Sequence, residues 1–241
     1  MIQDQTLTKA AALAELVAKR RQETHPDFRH LHEFDEGRWD FEYVVPWTKS
    51  ACSLHARLMV IGQDWASENF LKNPKYNTPD RVAGRQQIGQ DEYLPTNKRL
   101  KTLLRRHFSL EFSQTYATDV LVFIKPGKMT GNVLMKDLQY CAETYTLPQL
   151  RIIQPDMAIC LGAKTFKSLR RALKLPDLKL SEATVPSGHT VYDRTEIYGV
   201  SHTGGLGHAN AGGSEKVDQI WASLAARFQK LRDRGPVGVT Y

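Results

Sequence analysis

Cysteine is scarce in this chain, with Cys52, Cys141 and Cys160 the only three in 241 residues. An odd number at wide spacing excludes a disulfide framework and fits a reducing compartment. Long apolar runs are missing too, and Met1-Ile2-Gln3-Asp4-Gln5-Thr6 holds no apolar signal core. A soluble, cytoplasmic protein without membrane association is therefore expected. There is no internal repeat, no low-complexity segment and no linker, so a single domain over 1–241 is expected, with a helical and irregular arm at about 1–55. His202 and His208 have no third ligand at a recognised spacing, which speaks against zinc. The glycine-rich stretch Gly204 to Gly213 fits neither the dinucleotide fingerprint nor the P-loop. No cofactor is expected.

The chain does have enough apolar residues, 41%, to bury one full core, and a formal net charge of +7. That charge favours an acidic partner such as nucleic acid. Residues 6–22 carry a helical stripe of Leu7, Ala11, Leu13, Leu16 and Val17. Residues 23–56 read as an irregular arm whose aromatics (Phe28, Phe34, Trp39, Phe41, Tyr43, Trp47) pack over the core. Four apolar runs follow, Leu58–Ile61, Ala117–Ile124, Met157–Leu161 and Ile197–Val200. Runs apolar on both faces, separated by helical patterns, predict an α/β fold: a three-layer αβα sandwich on a mainly parallel sheet of about four strands. Phe70 to Leu94 reads as a long polar loop of the kind that forms lids. Thr96 to Phe108 reads as an amphipathic helix that buries Leu100, Leu103, Leu104 and Phe108.

In an open α/β sheet, ligands bind beyond the carboxyl ends of the strands. Three segments fall at that edge: 62–65, 125–132 and 202–208. The first carries Asp64, a carboxylate leaving a buried strand. The last carries His202 at a strand end, then a flexible glycine-rich loop with Leu206 as a wedge. Each has a plainer reading: Asp64 as the cap of a following helix, His202 as a structural histidine, Leu206 packed inward.

The residues resemble the uracil-DNA glycosylase superfamily over roughly 55–230. Gly62-Gln63-Asp64 matches the start of the water-activating motif of the uracil-excising branch. His202-Thr203-Gly204-Gly205-Leu206 keeps the histidine and the leucine of the second motif. Tyr116-Ala117-Thr118-Asp119-Val120, Lys125-Pro126-Gly127 and the segment from Gln149 to Gly162 look like parts of the iron–sulfur branch. The resemblance implies a monofunctional DNA glycosylase that flips a damaged or deaminated base and hydrolyses its N-glycosidic bond. Asp64 would position water and stabilise the sugar cation, and His202 would hydrogen-bond the departing base. Gly62, Gln63, Trp65, Asp119 and an aromatic (Tyr93, or else Tyr76 or Phe70) would surround the base. Lys125, Gly127, Lys128, Gly204, Gly205, Leu206 and His208 would meet DNA, with Leu206 filling the gap left by the flipped nucleotide. A monomer is the default state.

The chain departs from the family in three places. Asp119 stands where an asparagine usually reads the base edge, and an ionised carboxylate accepts but does not donate. Either Asp119 is protonated in a dry pocket, or the substrate presents an amino group, or another residue reads the base. Cys141 falls near a cluster ligand of the iron–sulfur branch, but the paired N-terminal cysteines are missing, so no cluster is expected. Thr203, Gly204 and Gly205 replace a stiffer segment, which weakens the wedge loop. Two alternatives stay open: a non-catalytic nucleic-acid-binding protein of the same fold, and an N-glycosyl hydrolase acting on RNA or nucleosides.

Overall fold

A computed structural model describes residues 2–233; Met1 and the last eight positions of the expected domain, 234–241, lie outside the described residues. The four apolar runs form strands β1 (Leu58–Asp64), β2 (Tyr116–Leu121), β3 (Met157–Leu161) and β5 (Thr195–Val200), all mutually parallel where they pair. A fifth strand, β4 (Thr190–Tyr192), pairs antiparallel with β5 and closes the order β2-β1-β3-β5-β4. It was not legible because it is three residues long and has an exposed Val191, so it offers no apolar run. Asp193, at φ 51°, turns the chain between the two strands. Met59, Val60 and Ile61 are fully buried, as strands covered on both faces require.

Ten helices surround the sheet among the described residues: α1 (Ile2–Gln22), α2 (Glu68–Lys72), α3 (Pro79–Ile88), α4 (Pro95–Leu103), α5 (Met135–Cys141), α6 (Leu147–Ile153), α7 (Ala163–Ala172), α8 (Leu180–Ala183), α9 (Gly205–Asn210) and α10 (Ser214–Asp233). The architecture is the expected αβα sandwich. On α1 the stripe is only partly right: Val17 is buried and Leu13 and Leu16 pack on the core, but Leu7 is 64% exposed. The helix lies on the core only along its second half. Leu100, Leu103, Leu104 and Phe108 are buried as expected, although α4 widens into a π turn over Leu104–Phe108. That turn sets Phe108 edge-on against Trp221 of α10, with ring centres 6.0 Å apart.

The aromatic arm packs as expected, and with α2 it builds a second apolar cluster of Leu31, Phe34, Trp39, Ala66, Phe70, Leu71 and Ile124. Residues 70–94, however, do not form a loop. They hold the end of α2, a 3₁₀ turn at Pro74–Tyr76, and α3. The segment reads as polar because its buried anchor is an ion pair. Arg85 is 1% exposed, lies over the rings of Trp39 and Phe70 at 5.2 and 4.9 Å, and binds Asp91 at 3.2 Å. Asp91 also takes Arg81 at 2.6 Å. The helix stops at Gly89, whose φ of 76° and contact with the Pro46 carbonyl leave no room for a side chain.

Candidate active site

From β1 the chain crosses to β2 on one side and later to β3 on the other, so the connections diverge at the carboxyl end of β1. A cavity of about 1100 Å³ opens there. All three expected segments reach it: Gly62, Gln63, Asp64 and Trp65 from β1, Lys128, Met129 and Thr130 from the loop after β2, and His202, Thr203 and Leu206 after β5.

Asp64 is held in it through both of its oxygens. One oxygen, Oδ1, lies 2.9 Å from Lys125 Nζ, and the other, Oδ2, accepts from Gln63 Nε2 at 2.7 Å. Its side chain is 7% exposed. Asp64 is not the cap of α2, because Ser67 does that, accepting from the Phe70 N–H at 3.4 Å. A carboxylate offers about four acceptor sites, so two bonds leave capacity for a water or a sugar cation.

His202 is exposed to solvent through the cavity, yet the walls round it shield the imidazole enough to lower its pKa. Desolvation is the main cause; the Asp64 carboxylate opposes it and the Lys125 ammonium adds to it. The Gly204 N–H donates to Nδ1 at 3.1 Å. In a neutral ring that places the remaining proton on Nε2, which makes His202 a donor. The segment behind it is not an open loop: residues 205–210 form the short helix α9. Gly207 allows this, because a Cβ there would collide with the His202 carbonyl oxygen and lie 3.0 Å from its nitrogen. Sequence reasoning passed over Gly207; the Gly204-Gly205-Leu206-Gly207 pattern was its only signal.

Asp119 sits on β2 opposite Gly62, 3% exposed, with Oδ2 enclosed and without a hydrogen-bond partner among the described residues. Burial raises its pKa well above the carboxylate range, and the nearby Asp64 charge raises it further. That direction favours the protonated form, the first of the three possibilities left open by the sequence.

Other expected site residues fall differently. Leu206 is 76% exposed on the cavity rim, not packed inward. Lys128 and Gly127 are exposed, Gly204 is half-buried, and Gly205 is exposed near Arg99. Lys125 does not reach the surface: it is 2% exposed and its ammonium is used internally, so it is no phosphate contact. His208 is half-buried, with Nε2 enclosed, and does not line the cavity. Tyr93 does not line it either; it is 62% exposed beneath Arg81, 5.4 Å from its ring. Phe70 and Tyr76 do line it, with ring centres 5.1 Å apart, as does Trp47. Trp65 forms part of the wall, held by its Nε1–H to the Gly89 carbonyl at 2.8 Å and tilted against Trp39. Trp47 was read only as a core aromatic, and Asn97 and Lys164 were missed because single polar residues at helix starts carry no pattern.

Among the described residues, no group of three or more His, Cys, Asp or Glu is placed to hold a metal ion. Cys141 and Cys160 are buried, and burial pushes the Cys141 thiol up to about 12. No helix among the described residues is long and apolar enough to cross a membrane. No family model matches the chain, and no curated protein matches it.

Proposed function

We propose that this protein is a DNA glycosylase related to the uracil-DNA glycosylase superfamily, hydrolysing the N-glycosidic bond of a flipped base. The observation that carries the reading is the convergence of Asp64 and His202 on one cavity whose rim presents the exposed Leu206. As the glycosidic bond breaks, positive charge develops on the sugar and negative charge on the base. The Asp64 carboxylate opposes the first and orients the attacking water; His202 donates Nε2–H to the second. A neutral imidazole suits this role, since it donates without adding a second cation beside Lys125. Leu206 fills the stack vacated by the base, and exposed Lys128 and half-buried Lys164 lie at the mouth where phosphates would pass.

Neutral Asp119 gives the reading a substrate class. A protonated carboxyl sets a donor beside an acceptor, as a primary amide does. It is complementary to a ring N–H flanked by a carbonyl, the edge shared by uracil, hypoxanthine and xanthine. An edge with an exocyclic amino group beside an unprotonated ring nitrogen also pairs one donor with one acceptor, so the identity of the base is settled by assay.

A specific observation supports a second reading, a non-catalytic nucleic-acid-binding protein: both Asp64 oxygens already have protein partners. One experiment separates the two readings. Labelled single- and double-stranded oligonucleotides containing uracil, hypoxanthine or xanthine are incubated with wild-type protein, Asp64→Asn and His202→Ala, then cleaved with alkali. Excision that both variants lose while still binding DNA supports the enzyme. Tight, salt-sensitive binding without excision supports the binder.

A further inference from the structure

A ladder of aromatic rings and one guanidinium runs from the cavity wall to the protein surface. Phe70 and Tyr76 line the cavity with ring centres 5.1 Å apart. The Arg81 guanidinium carries the ladder outward, 5.2 Å from the ring centre of Tyr76 and 5.4 Å from that of Tyr93. Tyr93 stands outside the cavity and is exposed, but its chain neighbours Asp91, Leu94, Thr96 and Asn97 all line it. The ladder therefore ends in an open ring beside the cavity.

Arg81 does not need Tyr93 to hold it. Its Nε–H and Nη2–H donate to Asp91 Oδ2 at 3.2 and 2.6 Å, and Nη1–H donates to the Lys75 carbonyl at 3.3 Å. Asp91 also fixes the backbone beside the ring: its Oδ1 accepts from the Tyr93 N–H at 3.0 Å, and its carbonyl accepts from Asn97 Nδ2 at 2.8 Å. Tyr93 is thus an exposed ring on a fixed backbone, with only two side-chain torsions to freeze when a flat partner lands on it. The surroundings are basic. Lys98 Nζ is 5.9 Å from the Tyr93 ring centre, and Lys75 Nζ is 5.9 Å from that of Tyr76. Both lysines are exposed, and neither has an ion-pair partner among the described residues. Glu92, the acid next to Tyr93 in the chain, is taken by Lys101 at 3.0 Å. Arg99 donates to the Thr203 carbonyl at 3.4 Å, which joins the helix following Tyr93 to the segment that carries His202.

We propose that Tyr93 is a stacking platform for the base next to the flipped nucleotide, and that Lys75 and Lys98 meet the phosphates of the same strand. The occupant is single-stranded DNA. Every base has a face that stacks on a tyrosine, and cations beside the ring attract the backbone without regard to sequence. In a duplex the neighbouring base already has a partner and a stack, so the platform has less to offer it. The proposal rests on the nucleic-acid substrate of the proposed function, but not on cleavage by Asp64 and His202. It gives the site a strand preference of its own: Leu206 replaces a base that leaves a duplex, whereas Tyr93 gives a stack to a strand that has none.

The test uses single-stranded oligonucleotides with a central uracil and, on its 5′ or its 3′ side, either 2-aminopurine, whose fluorescence is quenched by stacking, or an abasic site. The full chain carries Asp64→Asn throughout, to keep the uracil in place, and is compared with Tyr93→Ala and Tyr93→Trp added. Quenching is expected on one of the two sides, lost in Tyr93→Ala and kept in Tyr93→Trp. Kd should rise about 10-fold in Tyr93→Ala. An abasic site on that side should raise Kd by a similar factor while Tyr93 is present, and add little once it is alanine. Duplex Kd should change far less. An abasic penalty of equal size with and without Tyr93 would overturn the proposal and leave the nucleic-acid reading standing. Equal losses on every oligonucleotide with a lowered Tm would assign Tyr93 to the fold and overturn it too. If Tyr93→Ala does not fold, the chain with Tyr93 intact decides, and absence of quenching on both sides overturns the proposal. Failure to bind any oligonucleotide would refute both readings. Stacking as expected with no excision by wild type would refute the glycosylase alone.

Discussion

The Asp119 carboxyl occupies the space that a side chain at Gly62 would need. The two residues are register partners on β2 and β1, and a Cβ at position 62 would run into Oδ1 of Asp119 and stand 3.3 Å from the Trp47 ring. Gly62 is therefore the residue that lets an acid, rather than backbone, form the cavity wall here. Gly62→Ala should displace the carboxyl and destabilise the fold by about 1–3 kcal/mol, the usual cost of overpacking a buried site. Thermal unfolding and excision measured on the same sample check this; an unaltered Tm with unaltered excision would show that the space is not needed.

Asp119 also makes stability depend on pH. Its folded pKa is raised, chiefly by burial, so between the unfolded carboxylate range and that raised value the folded protein holds a proton that the unfolded chain has released. Stability is then fully present below about pH 4 as far as this group is concerned, and falls as pH rises towards the folded value. Asp119→Asn removes that slope, and urea unfolding at a series of pH values should show a smaller loss from pH 4 to 8 than in wild type. Asparagine also keeps a donor beside an acceptor, so excision of the same base should survive the change.

His202 bears the opposite sign. Its lowered pKa, due mainly to desolvation, keeps the imidazole neutral as pH falls through the ordinary histidine range. The rate should therefore hold level from pH 8 to about 6.5, the unperturbed histidine value. Losing this donor should reduce kcat by about 10²–10³-fold in His202→Ala. Gly207→Ala, which pushes α9 off the His202 backbone, should lose rate in the same direction with DNA binding retained. A decline in rate that begins above pH 7 would contradict the neutral-donor role.

Leu206 should matter only where a base must leave a stack. Leu206→Ala is expected to slow excision from duplex DNA by roughly 10-fold or more, in line with an unstacking cost of a few kcal/mol, and to alter single-strand excision far less. The ratio of the two rates is the readout. Equal losses on both substrates would place Leu206 in the fold or the pocket, not in the stack.

The parallel strands were legible because their residues are apolar on both faces, and that alone put segments 62–65, 125–132 and 202–208 at one edge. Asp64 and His202 could be picked out because each is a polar residue ending an apolar run. The elements that were not legible are those anchored by polar contacts. The Arg85–Asp91 pair gives α3 a polar core, so 70–94 looked like a loop. Lys125 looked like a surface lysine because its partner Asp64 is distant in sequence, and only the β1–β2 pairing brings them together. Tyr93 looked like the stacking aromatic from its place before α4, whereas the fold turns it outward and brings Phe70 and Trp47 to the cavity. A single sequence shows periodicity and composition; it does not show which charges meet across a sheet.

The most direct test of the account is base excision from a uracil-containing oligonucleotide, single- and double-stranded, by wild-type protein and by Asp64→Asn. The expected result is alkali-labile sites with wild type and on the order of 10²-fold fewer or none with Asp64→Asn, at similar DNA affinity and similar Tm. Excision that persists undiminished in Asp64→Asn, or its absence from wild type on uracil, hypoxanthine and xanthine alike, would contradict it.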